Sequence, residues 1–386
     1  MSNEKEYVRG LRDVAACETR NSFVDPLGAL YYVGYDIDRL LGRVCYEEVV
    51  HLLLYKRLPT QSELDAIRSK LFSEMSLPEQ VIQSIRNAPK TSHPMEILRT
   101  EISHLGQFDP DPSDQSESAN LRRALSLVAK VPTLVAAIYR VRSGQEIVSP
   151  RKDYSFAENF LYMFRGKPAD KEEKEAMDRY MILHADHGLN ASTFAARVTA
   201  STLSDIYSGV TSAIGTLKGQ LHGGASERVM NMLLDVNNVG EVEAYIQGML
   251  FDRKKIMGFG HRIYVAEDPR SRHLRKISRA LCERIDRMDL YQKCRRIQSV
   301  VHNEKKIYPN VDFYAATVLN ALEIPKEFFT LFFASSRITG WTAHILEQYS
   351  DSVLLRPTSR YVGAYGTKFF SIKNRKPKKQ KKKKKE

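Results

Sequence analysis

Apolar residues recur along most of the chain at the three- and four-residue intervals of an amphipathic helix, and strict apolar-polar alternation is scarce. Thr60-Gln-Ser-Glu63, after Pro59, reads as a capping box, with Leu64, Ile67, Leu71 and Met75 following at helical spacing. Further helix starts stand after Pro78, Pro94 and Asp170. The last has Glu172 and Glu173 in its first turn, where negative charge suits the helix dipole. The one strand candidate is LGALYYVGYDI at 27–37, a short aromatic hairpin. Residues 109–118 (DPDPSDQSES) read as an acidic loop. No tandem repeat occurs, which disfavours a solenoid. The pattern predicts an all-α fold.

Between about 190 and 250 the helical pattern is rich in small residues, which let helices approach closely. Gly219, Gly223 and Gly224 interrupt it around His222, Gly258 and Gly260 interrupt it before His261, and Pro309 to Asp312 makes a third break. Each break delivers a polar residue at a helix end, where irregular backbone is normally reserved for function.

At 386 residues and 42% hydrophobic content the chain has room for two domains. Its net charge of +13 suggests a nucleic-acid partner until it is located. Residues 371–386 hold ten basic residues and one acidic one, so the other 370 residues carry only +4. The body is nearly balanced, and the tail reads as a disordered, solvated appendage with no specific nucleic-acid role. Cys17, Cys45, Cys282 and Cys294 form no CxxC pair and read as free thiols. The longest clear apolar run, 328–334, has seven residues, too few for a membrane span. The N-terminus reads as neither secretory signal nor transit peptide, so the expected location is the cytoplasm.

Candidate chemistry follows the breaks. His184 and His187 in LHADHGLN stand three apart, hence on one helical face, but no third ligand follows at a recognisable spacing and no metal is expected. They read as one buried, hydrogen-bonded histidine and one facing a cleft. His222, beside two glycines and a helix start, reads either as a structural histidine of the turn or as a neutral imidazole able to donate a hydrogen bond to a developing enolate. The Gly-x-Gly before His261 is neither nucleotide fingerprint. Asp312 reads equally as a reactive carboxylate or as the cap of the helix behind it. Of Arg270, Arg337, Arg356 and Arg360, Arg337 is the informative one: it lies among Phe332, Phe333, Ile338 and Trp341, with no acidic residue nearby in sequence. Two or three histidines, one carboxylate and several arginines suit an anionic substrate and carbonyl chemistry.

Six blocks in order, LHADHGLNASTF, SDIYSGVTSAIGTLKGQLHGGA, KKIMGFGHRIY with DPRS behind it, YPNVDFYAATVL, SRITGWTAHILEQ and LLRPTSRYVG, resemble the citrate synthase family in its shorter form, shared with 2-methylcitrate synthases. The resemblance runs from about Gly10 to Gly363. It implies an all-α fold in which a large domain (1–222 and 321–370) carries an inserted small domain (223–320) that closes over a cleft, with 371–386 as a Lys-rich tail outside the pattern. It also implies condensation of acetyl-CoA with oxaloacetate, followed by thioester hydrolysis to citrate and CoA. The alternative within the family is propionyl-CoA and 2-methylcitrate, or acceptance of both acyl groups.

By the same resemblance, Asp312 is the general base, His222 donates to the enolate oxygen and His261 polarises the oxaloacetate carbonyl. His187, Arg270 and Arg337 bind the oxaloacetate carboxylates, and Arg356 completes the partner's site in a homodimer. Lys255, Ile256, Met257, Gly258 and Phe259 form the loop that receives the CoA adenine. No permanent cofactor is implied. Two departures stand out: Gly188 where the family usually has an acidic residue, which is expected to loosen His187, and Thr358-Ser359 in place of Arg-Ala.

Overall fold

The computed structural model of the chain describes residues 7–375. Cys17–Leu355 forms one compact body, while the residues up to Ala16 and those from Arg356 onward make up a second unit. The body is helical, as the apolar spacing predicts. Among the described residues its first half contains α1 (Ile37–Leu40), α2 (Tyr46–Tyr55), α3 (Gln61–Glu74), α4 (Glu79–Asn87), α5 (Pro94–Leu105), α6 (Glu117–Arg142), α7 (Phe156–Arg165) and α8 (Lys171–His184). The second half contains α9 (Ala191–Ala200), α10 (Ile206–Leu217), α11 (Ala225–Leu234), α12 (Val242–Phe251), α13 (Pro269–Arg284), α14 (Met288–Lys305), α15 (Val311–Ala321) and α16 (Phe329–Asp351).

The helix starts fall where the sequence puts them. Thr60 and Glu63 close a capping box on α3, Asp170 and Glu173 another on α8, Pro78 precedes α4 and Pro94 opens α5. Each box satisfies two backbone donors that the first turn leaves open. The hairpin expectation is exceeded: β1 (Ser22–Asp25), β2 (Ala29–Tyr32) and β3 (Tyr35–Asp36) form a three-stranded antiparallel sheet, with Ser22 opposite Tyr32 and Tyr31 opposite Asp36.

Two expectations are corrected. The acidic stretch is shorter and less solvated than it reads, because Ser116 caps α6 and Asp109 is buried against Arg123. Arg123 also donates to the Asp114 carbonyl at 2.6 Å and to Asn120 Oδ1 at 3.0 Å, so the loop is wrapped around a buried guanidinium. And one helix is long and apolar enough to cross a membrane: α6 contains an 18-residue stretch of mean hydropathy 1.5, which the run of seven in 328–334 does not reveal. Of that stretch, 72% is buried inside the body, where Val128, Val131, Leu134 and Val135 are fully covered.

The core runs along α16. Leu331, Phe332, Ile338, Trp341 and Ile345 on this helix are fully buried, and Phe332 stacks on Phe160 of α7 with centroids 4.3 Å apart. Each such side chain contributes about 1.5–3 kcal/mol relative to exposure. In the second unit, residues 356–375 are exposed throughout and include a short 3-10 turn at Ile372–Asn374. The rest of the Lys-rich tail lies outside the described residues.

Candidate active site

The candidate site is built against α16. This helix docks on the turn that follows α8 at three points: Arg337 Nε donates to the His184 carbonyl at 2.7 Å, the Gly340 amide to the Ala185 carbonyl at 3.0 Å, and His344 Nε2 lies 3.2 Å from Asp186 Oδ2. Helix α8 ends at His184, so His184 and His187 do not share a helical face; His187 follows the bend. His184 is wholly buried, its Nδ1 2.7 Å from the Tyr180 carbonyl. His187 is 6% exposed and its Nε2 lies 3.2 Å from the Tyr264 hydroxyl. The β-sheet supports the same turn: Ser22 Oγ donates to Asp186 Oδ2 and accepts the Gly188 amide at 2.8 Å. Gly188 has φ +54°, a left-handed conformation that glycine adopts without steric cost. It therefore fits the turn beside His187.

His222 stands in the turn before α11. Its Nε2 lies 2.9 Å from Ser192 Oγ and 3.3 Å from the Ser192 amide. An amide N–H only donates, so Nε2 accepts and the proton of the neutral ring sits on Nδ1. Burial, with the Arg337 charge adding to it, lowers the His222 pKa to about 4. The neutral imidazole expected from sequence is thus the ground state at neutral pH.

His261 carries the opposite tautomer. Its Nδ1 accepts the amides of Ile263 and Tyr264, both at 3.0 Å, which leaves the proton on Nε2. Burial, reinforced by Arg270 and opposed by Asp268, lowers its pKa to about 4 as well. The ring lies 5.1 Å from that of His187 and 4.5 Å from that of Tyr264. The segments before His261 and Asp312 are zipped together, with the Gly260 amide donating to the Tyr308 carbonyl and the Asn310 amide to the Gly258 carbonyl, both at 2.9 Å. Gly258 is required there. Its φ is +78°, and a Cβ would stand 2.8 Å from Val229 and 2.9 Å from Phe313.

Asp312 does not cap its helix. Asn310 does, accepting the Asp312 amide at 3.1 Å, so Asp312 is the second residue of α15 with its carboxylate free for other work. One oxygen accepts Ser226 Oγ at 2.5 Å. Burial raises its pKa above the ordinary carboxylate value, with Ser226 and the two cleft arginines opposing, which makes it a stronger base.

The two cleft arginines differ. Arg270, 2% exposed, is bidentate to Asp268 at 3.0 and 2.8 Å, and this neighbour raises its pKa against the pull of burial. Arg337, 1% exposed, makes no ion pair with any described carboxylate. Its guanidinium lies 4.7 Å over the Phe333 ring, its Nη2 has no hydrogen-bond partner, and burial lowers its pKa to about 10. A buried cation with an open donor has the chemistry to pair with an anion. Its charge acts on His184, His187, His222 and Asp312, and that of Arg270 on His184, His187, His261 and Asp312, so all of these groups share one electrostatic environment.

A family model, that of the citrate synthase C-terminal domain, matches residues 10–358. The chain belongs to the citrate synthase family. It is 47% identical over 369 residues to citrate synthase 2 of Bacillus subtilis, covering 95% of this chain and 99% of that protein, and 40% identical over 371 residues to the citrate/2-methylcitrate synthase of the same organism, covering 95% and 100%. The structure of a Thermoplasma acidophilum citrate synthase in ternary complex with carboxymethyl coenzyme A and oxaloacetate superposes with a TM-score of 0.91 at 31% identity, covering 96% of this chain and all of that one. The fold is that of the family, and membership makes the chain an acyltransferase that converts the acyl group to an alkyl group on transfer, with citrate as product.

Of the remaining expected residues, Gly258 and Phe259 belong to the paired turn beside Asp312, and Arg356 lies in the second unit. In the loop after α12, Lys255 is exposed, Met257 half-buried, and Ile256, Gly258 and Phe259 are buried. Arg356 and Arg360 belong to the second unit and are exposed. Sequence reasoning missed Ser192, Ser226 and Tyr264, which touch His222, Asp312 and His187 respectively, and the role of Trp341, which touches Ser192. Asn190, the cap of α9, was a legible signal for where Ser192 sits.

Proposed function

We propose that Asp312, His222 and His261 carry out the condensation. Asp312 accepts a methyl proton from acetyl-CoA, and the C–H electrons move onto the thioester oxygen, which His222 Nδ1–H stabilises. The enolate carbon attacks the oxaloacetate carbonyl, whose oxygen is polarised by the His261 Nε2–H as the new C–C bond forms, and the proton that Asp312 took ends on the new alkoxide, so base and imidazole return to their starting forms. Water then hydrolyses the thioester, releasing citrate and CoA. His187, Arg270 and Arg337 bind the oxaloacetate carboxylates. The observation that carries this reading is the pair of neutral histidines with protons on opposite nitrogens, in a cleft where Arg337 holds an unpaired charge.

Residues 255–259 receive the CoA adenine, and residues 223–320 close over the cleft to exclude water. The protein works as a cytoplasmic homodimer in which Arg356 completes the partner's site. The exposed segment around Arg356 supports this: Tyr361, Val362, Tyr365 and Phe369 are 69–90% exposed, an apolar set suited to cover by a second copy.

CoA release with oxaloacetate and either acetyl-CoA or propionyl-CoA tests the reading. Acetyl-CoA should be the better substrate. A preference for propionyl-CoA would replace citrate by 2-methylcitrate, and an inactive chain would overturn both. Asp312→Asn should bind oxaloacetate and lose about a hundredfold or more in kcat.

A further inference from the structure

Trp341, the chain's single tryptophan, is wholly buried in α16, and its indole Nε1 donates to Ser192 Oγ at 3.1 Å. That hydroxyl is the same one that faces His222 Nε2 at 2.9 Å, and it also lies 2.7 Å from Asn190 Oδ1. A hydroxyl has one proton and two lone pairs, so it cannot donate to both acceptors. Asn190 Oδ1 is already served, as the cap of α9, by the amides of Ser192 and Thr193 at 3.1 and 3.2 Å.

Two proton arrangements compete. In the first, Ser192 donates to His222 Nε2 and the ring proton is on Nδ1. In the second, Ser192 donates to Asn190, the Ser192 amide gives up its 3.3 Å contact with Nε2 and rests on Asn190 Oδ1 alone, and the ring turns an Nε2–H toward Oγ, leaving Nδ1 as a bare lone pair. The first arrangement leaves the buried Ser192 oxygen with a single donor, the indole. Remove the indole N–H and that oxygen has none, which is costly in a buried site, whereas the second arrangement supplies a donor from the imidazole.

We propose that Trp341 is a positioning residue: its indole N–H, held on Ser192 Oγ, keeps the His222 proton on Nδ1, the nitrogen that faces the enolate. The inference rests on the role given to His222 above. Helix α16 thereby sets both sides of the cleft, the bend before His187 through Arg337, Gly340 and His344, and the His222 tautomer through Trp341.

Because the chain has one tryptophan, growth on 3-benzothienylalanine replaces the indole N–H by sulfur at this position alone, with nearly the same volume. Trp341→Phe is the encoded counterpart. Both should lower kcat about ten- to a hundredfold, the range for residues that orient a ligating or reacting histidine, with the KM for oxaloacetate changed less than about twofold. In 15N-histidine-labelled protein the His222 resonances, assigned by their loss in His222→Gln, should exchange the protonated and bare nitrogen. In a Ser192→Ala background the tryptophan change should have no further effect. An unchanged tautomer with kcat within about twofold of wild type in the benzothienyl protein would overturn the proposal, and so would losses that add to those of Ser192→Ala. The role of His222 fails separately, if His222→Gln itself retains wild-type turnover.

Discussion

The two cleft arginines come from different parts of the body and meet the cost of burial in opposite ways. Arg270 opens α13 beside its own carboxylate, Asp268, which also caps the helix. Arg337 sits in the middle of α16 with a carbonyl on Nε, an aromatic face beneath it and nothing on Nη2. One is a buried ion pair that the fold closes on itself. The other is a charge with no ion-pair partner at contact, eased by the more distant Asp186 carboxylate and tolerated because the surrounding core offsets it. On the proposed reading, the group left for the anionic substrate is the one that the fold leaves without a partner on Nη2.

The largest effect expected from this contrast is on stability. Arg270→Met strands a buried carboxylate and should cost about 3–5 kcal/mol in denaturant unfolding, most of it recovered in the Arg270→Met/Asp268→Asn double variant, where the asparagine still caps α13. Arg337→Met should behave in the opposite way. It removes a buried unpaired cation, so unfolding should shift by about 1 kcal/mol or less, while oxaloacetate affinity falls by about 2–3 kcal/mol, roughly 30- to 150-fold, for a lost charged hydrogen bond. A large loss of stability at Arg337, or none at Arg270, breaks the comparison.

The same contrast shows what a sequence can reveal. Arg337 was legible as an unpaired buried arginine because its neighbours on α16 are apolar and burial is a local property of the pattern. Asp268 stands two residues from Arg270 in plain view, yet its pairing was not read, since an acid before a helix signals a cap and the same oxygen serves both amide and guanidinium. His222, His261 and Asp312 were found as polar residues at breaks in a helical pattern. Their proton positions were not, because Ser192 lies 30 residues from His222 and Trp341 a further 149 from Ser192. Fold class is written in periodicity; tautomers are written in contacts across the fold.

A smaller effect should appear in acid. His222 and His261 titrate near pH 4 in the folded protein and near 6.5 when unfolded, so the unfolded chain binds more protons between those values. Stability should therefore fall as pH drops from 6.5 to 4, by about 1–2 kcal/mol per histidine after allowance for their partial exposure. Asp312 works in the opposite sense. Its raised pKa means the folded state holds a proton longer than the unfolded one, so its contribution is lost as pH rises through the folded value. Unfolding of His222→Gln across pH 4–7 should show a shallower slope than wild type. An identical slope would mean the ring is charged in the native cleft.

The smallest expected effect concerns the turn between the two sides of the cleft. Gly188 has φ +54°, and a Cβ there would touch only Val24 at 3.4 Å, so the strain is in the backbone and not in packing. Gly188→Ala should cost about 1 kcal/mol, and Gly188→Asn less, since asparagine tolerates the left-handed region. Neither removes the amide that Ser22 accepts, so His187 should keep its place and the KM for oxaloacetate should stay within about twofold of wild type. A tightening of oxaloacetate binding on substitution would show that glycine does loosen His187, and would shift weight in substrate binding from Arg337 on α16 to the turn.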